Sequence, residues 1–374
     1  MPPTEILISA GEPSGEMYAA RLAAELSTHT GARFFGLGGQ QMKAAGVELL
    51  ADLADVSVVG ISEVFRRLPA VWKIYRQLAD EAARRRPRLA ILVDFPDFNL
   101  RLARRLHAQG IPIVYFISPQ VWAWRPGRVR LIKKLVRRVI CIFPFEEKFY
   151  QDAGVPVSYV GHPLVDAVRA GRTRAEFAAK YDLHAGEPIV ALLPGSRASE
   201  VAHNLPRMVE ACHLLQKESA YQFVLAAAPG MTSTHFADYA RADVRLHVAE
   251  EATYDALAAA DCAIVSSGTA TVEAALLDAP MVVVYRVSGA TAFVARRLVR
   301  TPFFSMVNLI AGRSVVAELI QEDFTPQAVA REARRLLESE KARDEVRAGY
   351  AEVRKKLGGG GAIARAAEVI AGML

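Results

Sequence analysis

Apolar residues along this chain fall into short continuous runs, and most runs are followed by a turn and then by a stretch with helical spacing. A short apolar run bounded by Gly, Pro or Ser is typical of a strand buried on both faces. Because such strands alternate with helices, the pattern predicts parallel sheets of the α/β class. The predicted strands are Glu5–Ala10, Ala32–Leu37, Leu89–Val93, Ile111–Ile117, Val139–Phe143, Val157–Val160, Pro188–Leu193, Gln222–Ala227, Val244–Val248, Cys262–Val265 and a run that starts at Pro280.

The chain length predicts two domains, because 374 residues exceed what one ordinary core holds together. We place the boundary at Gly161-His162, which gives domains of residues 1–160 and 161–374, and His162 is either a structural hinge residue or a ligand. A terminal helix, Ala362–Met373, follows the glycines at 358–361. This helix is expected either to pack back on the first domain or to exchange between subunits of a homodimer.

The composition excludes several classes of protein. With 52% hydrophobic and 23% charged residues, the chain is not disordered. No apolar run approaches the roughly 18–20 residues that span a bilayer, and the first residues lack the basic region and long apolar core of a signal peptide. We therefore expect a cytoplasmic protein. The three cysteines and eight histidines show no ligand spacing, so neither a metal nor a cofactor is expected.

The positive charge is concentrated in the first domain. Residues 1–160 hold 22 Lys and Arg against 15 Asp and Glu, whereas the remainder holds 24 against 25. A basic face of this kind suits nucleic acid, an anionic membrane surface or a phosphorylated substrate. The segment Arg101–Arg138 carries ten basic residues, no acid, and Trp122 and Trp124, so a single-stranded nucleic-acid groove stays open as a rival interpretation.

An amphipathic stretch, Val58–Leu78, combines an apolar stripe with flanking basic residues. The stripe consists of Val64, Phe65, Leu68, Val71, Trp72, Tyr75 and Leu78. Such a stripe commonly faces its own core. The alternative is a surface patch that enters a membrane interface while the arginines contact lipid phosphates.

Two turns of the first domain carry candidate chemistry. Asp94 directly follows a predicted strand, so its carboxylate is either an Asx turn or a general base at the edge of the sheet. The turn GEPSGE follows the first strand, and Ser14 is expected to cap the next helix. NAD binding is disfavoured there, because the turn is not GxGxxG and carries two acids that repel a pyrophosphate.

The second domain carries two turns that suit phosphate. One is Gly195-Ser196-Arg197 and the other is Ser267-Gly268-Thr269, each between a strand and a helix whose N–H groups attract anions. Arg197 is either solvated or bidentate on a phosphate.

Two further side chains of this domain have open roles. Glu273, expected in the first helical turn, either complements the helix dipole or accepts hydrogen bonds from ribose hydroxyls. Asn308 is either a turn residue or a nucleotide contact.

Seven motifs, in this order and over nearly the whole chain, resemble one family: SAGEPSGE, VDFPDFN, SPQVWAWRPGRV, VGHPLVD, LLPGSRASEV, SSGTATVE and NLIAGR. The family is lipid-A-disaccharide synthase, an inverting glycosyltransferase of the GT-B fold. The resemblance implies two Rossmann-like domains with parallel sheets and an active site in the cleft between them.

The resemblance also implies a reaction. The enzyme would join UDP-2,3-diacylglucosamine to the 6-hydroxyl of 2,3-diacylglucosamine 1-phosphate (lipid X) and release UDP, without a metal. Asp94 would be the base, and the two phosphate-type turns with Glu273 and Asn308 would hold UDP. The acceptor side of the cleft would carry Glu12, Ser14, Gln120, Trp122 and Arg125. One departure is Glu16, where the family's first motif usually ends in Asp.

The implied partners are the two acylated substrates and the anionic cytoplasmic face of the inner membrane, with no nucleic acid. Acylated substrates would explain both the amphipathic stretch and the basic first domain. The alternative function is a sugar-nucleotide epimerase of the same architecture, which would share the UDP half but need no lipid-facing patch.

Overall fold

The structure, a computed structural model, describes residues 4–53, 61–119, 121–124, 127–184, 186–239, 243–289, 292 and 301–374, with the backbone alone at 13, 61–68, 123 and 124. The chain forms two compact units. The first unit comprises Met1–Pro163 together with Leu357–Leu374, and the second comprises Leu164–Lys356. Each unit is built on its own parallel sheet.

The first unit contains a seven-stranded sheet in the order β3-β2-β1-β4-β5-β6-β7, with every neighbouring pair parallel. Its strands are β1 Glu5–Ala10, β2 Arg33–Gly38, β3 Glu48–Asp52, β4 Leu89–Val93, β5 Ile113–Phe116, β6 Arg138–Cys141 and β7 Val157–Tyr159. Its helices up to residue 152 are α1 Pro13–Thr30, α2 Gln40–Ala44, α3 Ile61–Arg85, α4 Pro96–Ala108, α5 Val121–Trp124, α6 Arg128–Leu135 and α7 Pro144–Asp152. The central strands β4 and β5 are buried along their whole length, as the apolar runs predict.

The second unit contains a six-stranded sheet in the order β10-β9-β8-β11-β12-β13, which is also parallel throughout. Its strands are β8 Ile189–Leu193, β9 Gln222–Ala226, β10 Leu246–Ala249, β11 Cys262–Ser266, β12 Met281–Tyr285 and β13 Ala317–Ile320. The helices from residue 164 onward are α8 Leu164–Ala167, α9 Arg174–Lys180, α10 Ala198–Gln216, α11 Thr253–Ala259, α12 Thr269–Leu276, α13 Met306–Ala311, α14 Pro326–Glu338, α15 Glu340–Leu357 and α16 Ala362–Ala371.

Two edge strands are absent from the sequence prediction. β3 forms one edge of the first sheet, and β13 forms one edge of the second. Both are short, both contain a glutamate, and most of their residues are only half-buried. An edge strand has one neighbour and less apolar contact, so it needs no continuous apolar run.

The C-terminal segment belongs to the first unit, where α16 packs against α1. The backbone N–H of His162 donates to the carbonyl of Leu357 (2.9 Å), and Arg365 Nε donates to the carbonyl of Val160 (2.9 Å). The chain therefore returns to the end of β7 before its last helix begins.

The amphipathic stretch corresponds to α3, and only part of its stripe faces the core. Leu78 is fully buried, and Val71 and Tyr75 pack partly buried against the same cluster. Trp72 is different, because 48% of its surface is exposed. Its indole stacks on Tyr75 with ring centroids 4.8 Å apart, and the Arg76 guanidinium lies 5.3 Å from the indole centroid. Residues 58–60 and the side chains of Val64, Phe65 and Leu68 lie outside the described part of the chain.

Candidate functional sites

The strand order of the first sheet reverses between β1 and β4. These two strands are neighbours in the sheet, although three crossover connections separate them in sequence. At such a switch point the following turns diverge to opposite faces and leave a crevice at the carboxyl ends of the strands. Asp94 is the residue directly after β4, so it lies at this crevice and is half-buried. Its position agrees with the predicted placement at a strand end.

The Asp94 turn has an unusual backbone. Asp94 and Phe95 have φ angles of 45° and 50°, which is the left-handed region and costs roughly 1–2 kcal/mol for each non-glycine residue. Several hydrogen bonds hold this conformation. The carbonyl of Asp94 accepts from Tyr115 Oη (2.7 Å) and from Asn99 Nδ2 (2.8 Å), and its N–H donates to the carbonyl of Ile117 (3.2 Å). The backbone that carries the carboxylate is thus fixed by two neighbouring elements.

Asn99 links the two strands of the switch point, and sequence reasoning missed it. The side chain is fully buried on α4. Nδ2 donates to the carbonyls of Val93 (3.1 Å) and Asp94, and Oδ1 accepts from Ser9 Oγ (2.8 Å) on β1. An asparagine on an otherwise apolar helix face was the available signal, because a buried amide requires partners.

The turn after β1 packs directly on the Asp94 turn. A Cβ atom built on Gly11 would lie 2.0 Å from the Phe95 ring, and one built on Gly15 would lie 3.6 Å from Asp94 Cβ. Only a residue without a side chain fits at position 11. The GEPSGE and DFPDFN motifs therefore form one surface at the crevice.

The prediction that Ser14 caps α1 is wrong. Helix α1 begins at Pro13, so Glu12 occupies the N-cap position and Ser14 lies exposed within the first turn. Proline is favoured at the first helical position because its missing N–H has no helical partner there. Glu12 and Ser14 nevertheless both lie at the carboxyl edge of the first sheet, beside the Asp94 turn.

Glu16 has a structural function in the first unit. Its carboxylate Oε1 accepts from the backbone N–H groups of Gln41 (2.8 Å) and Met42 (3.1 Å) at the start of α2. These groups have no partner within their own helix, so an anion from α1 satisfies them. Gly39, directly before α2, leaves space for this carboxylate. The longer Glu side chain therefore joins α1 to α2.

Residues 118–127, which contain Trp122 and Trp124 and are called the tryptophan loop, are described in part. Gln120 and Arg125 lie outside the described residues. Trp122 is half-buried; its Nε1 donates to Glu146 Oε1 (3.2 Å), and its ring contacts Phe145 edge-on, with centroids 4.8 Å apart. The loop follows β5, so Trp122 lies at the same sheet edge as Asp94.

His162 is a structural residue. The ring is 2% exposed and lies 4.9 Å from the Phe143 ring and 6.5 Å from the Tyr18 ring, centroid to centroid. Burial lowers its pKa to about 3, so the imidazole is neutral at physiological pH.

The second sheet has its own switch point, between β8 and β11. The turn after β8 contains Gly195-Ser196-Arg197, with Gly195 at a φ of 129°. The N–H groups of Ser196 (3.0 Å) and Arg197 (3.3 Å) donate to Glu200 Oε2. A carboxylate of the chain itself thus occupies the anion position predicted for phosphate. The Arg197 guanidinium is largely exposed and lies 3.6 Å from the same carboxylate.

The turn after β11 is Ser267-Gly268-Thr269, where α12 begins. Ser267 Oγ donates to the carbonyl of Phe304 (2.7 Å), and open space surrounds Gly268 where a side chain would project. The prediction that Glu273 lies in the first helical turn is wrong, because it is one turn further along α12. Its Oε1 accepts from Tyr254 Oη (3.1 Å), and burial raises the pKa of this carboxyl.

Asn308 is buried and its amide is fully used. Oδ1 accepts from the N–H groups of Val315 (2.7 Å) and Val316 (3.0 Å), and Nδ2 donates to the carbonyl of Val316 (2.9 Å) and to Glu318 Oε1 (2.8 Å). Glu318 in turn accepts from the N–H of Phe304. Asn308 therefore organises the segment that Ser267 contacts, and no amide group is left for a nucleotide.

Asn204, which sequence reasoning also missed, joins three strand ends of the second unit. It is fully buried on α10. Nδ2 donates to the carbonyl of Pro194 after β8 (2.9 Å) and to Ser266 Oγ on β11 (3.2 Å), and Oδ1 accepts from the N–H of Arg286 after β12 (3.0 Å). Both phosphate-type turns are thereby fixed relative to each other.

Groupings of metal ligands and membrane-spanning helices are both absent from the described part of the chain. No three His, Cys, Asp or Glu side chains there are grouped as metal ligands. No helix in those ranges is both long and apolar enough to cross a membrane.

A model of the lipid-A-disaccharide synthetase family matches residues 6–369. The chain is also 46% identical to the lipid-A-disaccharide synthase of Solibacter usitatus over 368 residues, which cover 98% of this chain and 96% of the relative. The chain belongs to the lipid-A-disaccharide synthase family. The resemblance read from the seven motifs is confirmed.

Solved structures agree on the fold of the family member. The calicheamicin glycosyltransferase CalG4 superposes with a TM-score of 0.61 at 17% identity, covering 100% of this chain and 99% of the other. The UDP-GlcNAc 2-epimerase of Neisseria meningitidis superposes with a TM-score of 0.64 at 13% identity, covering 98% of each chain. The predicted GT-B fold is confirmed. Glycosyltransferases and epimerases share this fold, so the fold alone does not separate the two functions. The family match favours the glycosyltransferase over the epimerase.

Proposed function

We propose that the chain transfers the 2,3-diacylglucosaminyl group of UDP-2,3-diacylglucosamine to the 6-hydroxyl of 2,3-diacylglucosamine 1-phosphate, lipid X. The bond between the anomeric carbon and the β-phosphate oxygen breaks, and a new carbon–oxygen bond forms on the opposite face of the sugar. UDP leaves, and the hydroxyl proton passes to a base. The family match over residues 6–369 is the observation that carries this proposal.

Asp94 is the base in this reaction. A general base needs a fixed position within hydrogen-bond reach of the proton it takes, and such catalysis contributes roughly 10²–10⁴-fold to rate. The Asp94 backbone is fixed by Tyr115 and Asn99 in a conformation that few residues adopt. Backbone strain of this kind, retained at a strand end, is typical of functional positions.

The donor is held by the second unit. As UDP departs, negative charge grows on the diphosphate, and the Arg197 guanidinium and the N–H groups at the start of α12 stabilise it. The diphosphate takes over the contacts that Glu200 makes with the N–H groups of Ser196 and Arg197 and with the Arg197 guanidinium. The backbone of Gly195, Ser196 and Ser267–Thr269 lines this part of the site.

Glu273 and Asn308 have different functions in the donor site. Glu273 accepts hydrogen bonds from the ribose hydroxyls, and Tyr254 orients its carboxylate. Asn308 acts through the backbone it organises rather than through contact with UDP. Positive charge and oriented N–H groups stabilise the leaving group, so the reaction is assigned no metal.

The acceptor is membrane-borne, and α3 provides the contact with the cytoplasmic face of the inner membrane. Trp72 is exposed, and Arg76 lies over its ring. An aromatic residue beside a cation suits the boundary between acyl chains and lipid phosphates. Cosedimentation with vesicles containing an anionic phospholipid tests this contact, and Trp72→Ala should weaken it more than Lys43→Ala on α2. Analytical ultracentrifugation of the same samples tests the predicted homodimer.

The decisive experiment measures UDP release with lipid X as acceptor. Asp94→Asn should lower kcat by about 10²–10⁴-fold with little change in KM for either substrate. Arg197→Ala should chiefly raise KM for the donor. Asp97→Asn is the matched control, because Asp97 is an exposed carboxylate on the same turn that pairs with Arg128. Undiminished turnover in the Asp94 variant would remove the catalytic assignment.

A further inference from the structure

Glu146 is a buried carboxylate that none of the functions above uses. It lies in the first turn of α7, after β6, and is 1% exposed. Three donors converge on it: Ser118 Oγ and Trp122 Nε1, each 3.2 Å from Oε1, and the N–H of Phe143, 3.3 Å from Oε2. Burying a carboxylate is unfavourable unless hydrogen bonds replace its water. The three donors therefore offset part of the cost of burying this group.

The donors belong to two neighbouring loops of the first sheet. Ser118 and Trp122 lie in the segment after β5, and Phe143 lies two residues after the end of β6. Aromatic contacts reinforce the link, since Trp122 meets Phe145 edge-on and Phe143 stacks on Phe145 with centroids 5.5 Å apart. Turning the indole away would break both its hydrogen bond and its ring contact. Glu146 thus fixes the part of the tryptophan loop nearest the strand.

The surroundings of Glu146 leave its charge sensitive to pH. Burial raises its pKa to about 7, and the three donors oppose this shift by favouring the ionised form. Cys141 on β6 and Tyr150 on α7 interact with it electrostatically, and burial raises the pKa of both, so both are neutral. His162, which packs on the same Phe143 ring, is neutral as well. None of these groups supplies a positive charge that would keep the carboxylate ionised.

We propose that Glu146 is a positioning residue for the acceptor: its carboxylate holds the side chains of Ser118 and Trp122 in the positions that receive lipid X. The inference rests on the proposed function, because the tryptophan loop is assigned to the acceptor. When Glu146 takes up a proton, one oxygen becomes a hydroxyl that faces donors, and the attachment of the loop weakens.

The first test separates the kinetics of the two substrates. In Glu146→Gln the amide oxygen can still accept from Ser118 and Trp122, but the NH₂ group faces the Phe143 N–H, so one bond is lost. KM for lipid X should rise about 3–10-fold, and further in Glu146→Ala, while KM for the UDP-sugar stays within about twofold. Glu147→Gln is the matched control, since Glu147 is the half-exposed neighbour on the same helix. Equal increases for both substrates, or no increase in Glu146→Ala, would overturn the assignment.

The second test is the pH profile. KM for lipid X should rise as the pH falls below about 7 in the parent enzyme, and this limb should be absent in Glu146→Gln. A limb that persists unchanged in the variant would show that another group titrates. A residue with only a structural role would alter the height of the profile and not its shape.

A third measurement keeps this inference separate from the proposed function. The chain has three tryptophans, so Trp72→Phe with Trp124→Phe leaves Trp122 as the sole indole. Its emission should titrate with a midpoint near 7, and adding Glu146→Gln should abolish that transition. If lipid X is not a substrate but the emission titrates, the proposed function fails and the loop attachment stands. If the emission is flat in both proteins, the attachment itself is refuted.

Discussion

The substitution Asn99→Ala tests whether the geometry of the Asp94 turn depends on one buried amide. Alanine removes the Nδ2 bonds to the carbonyls of Val93 and Asp94 and the Oδ1 bond from Ser9 Oγ. A typical hydrogen bond contributes about 1 kcal/mol net, and the buried Ser9 hydroxyl loses its partner, so unfolding free energy should fall by about 3–4 kcal/mol. For a unit of this size that corresponds to a fall in Tm of about 6–16 °C.

The effect of Asn99→Ala on activity should exceed its effect on the amount of folded enzyme. The Asp94 carbonyl keeps the Tyr115 hydroxyl, so the turn is loosened rather than lost, and kcat should fall at least about tenfold at temperatures where the variant is folded. Tyr115→Phe removes only one bond and should have a smaller effect on both quantities. Calorimetry and UDP release on the same preparations make the comparison.

Asn204→Ala is the control, because it removes a buried amide of the same kind from the second unit. Its loss should raise KM for the donor, whereas Asn99→Ala should lower kcat. If both variants changed the same kinetic parameter by the same factor, the loss would reflect general destabilisation. A folded Asn99→Ala enzyme with normal kcat would show that the amide does not position Asp94.

Three further predictions concern other residues of the first unit. Gly11→Ala would bring a methyl group within 2.0 Å of the Phe95 ring, so Phe95 must move and kcat should fall although the site chemistry is intact, as measured by UDP release. Glu16→Ala removes the anion at the start of α2 and should lower the unfolding free energy by about 1 kcal/mol in urea titrations, whereas Glu16→Gln keeps an acceptor and should lose less. Burial raises the pKa of Glu146 from near 4.5 to about 7, so the folded state holds its proton more tightly and stability falls as the pH rises through this window. Urea titrations from pH 4.5 to 8 should show that the parent loses about 3 kcal/mol of unfolding free energy and that Glu146→Gln does not. An identical dependence of unfolding free energy on pH in both proteins would contradict the raised pKa of Glu146.

The central strands of both sheets follow from apolar runs alone. The run Leu89–Val93 is buried on both faces, so every position in it requires an apolar side chain. The predicted and observed bounds of this strand coincide. The edge strand β3 does not require an apolar side chain at every position. Its glutamate and aspartate interrupt the apolar run, so the sequence pattern does not predict a strand there. An apolar run therefore identifies a strand where one is present, as in the half-buried edge strands β7 and β10, whereas a strand without such a run, like β3, is not recognised.

The candidate site divides in a similar way. Asp94 could be predicted because it directly follows an apolar run, and a strand end is a recognisable location. The hydrogen-bond partners of Asn99 and Glu146 could not be predicted, because the bonds join residues up to 90 positions apart in sequence. Ser14 cannot cap α1, because proline favours the first helical position and Pro13 therefore leaves the N-cap position to Glu12.

The two buried asparagines occupy equivalent places in the two units. At a switch point, strands that are neighbours in the sheet send their chains to opposite faces, and the carbonyls at their ends are left without a partner strand. Asn99 in the first unit and Asn204 in the second satisfy these carbonyls and fix the distance between the strand ends. Both amides are fully buried, and the Nδ2 hydrogens of each are used in these bonds. We therefore propose that substrate contact falls to half-buried neighbours on the same turns, Asp94 in one unit and Ser267 in the other, and that each asparagine acts by fixing the backbone that carries them.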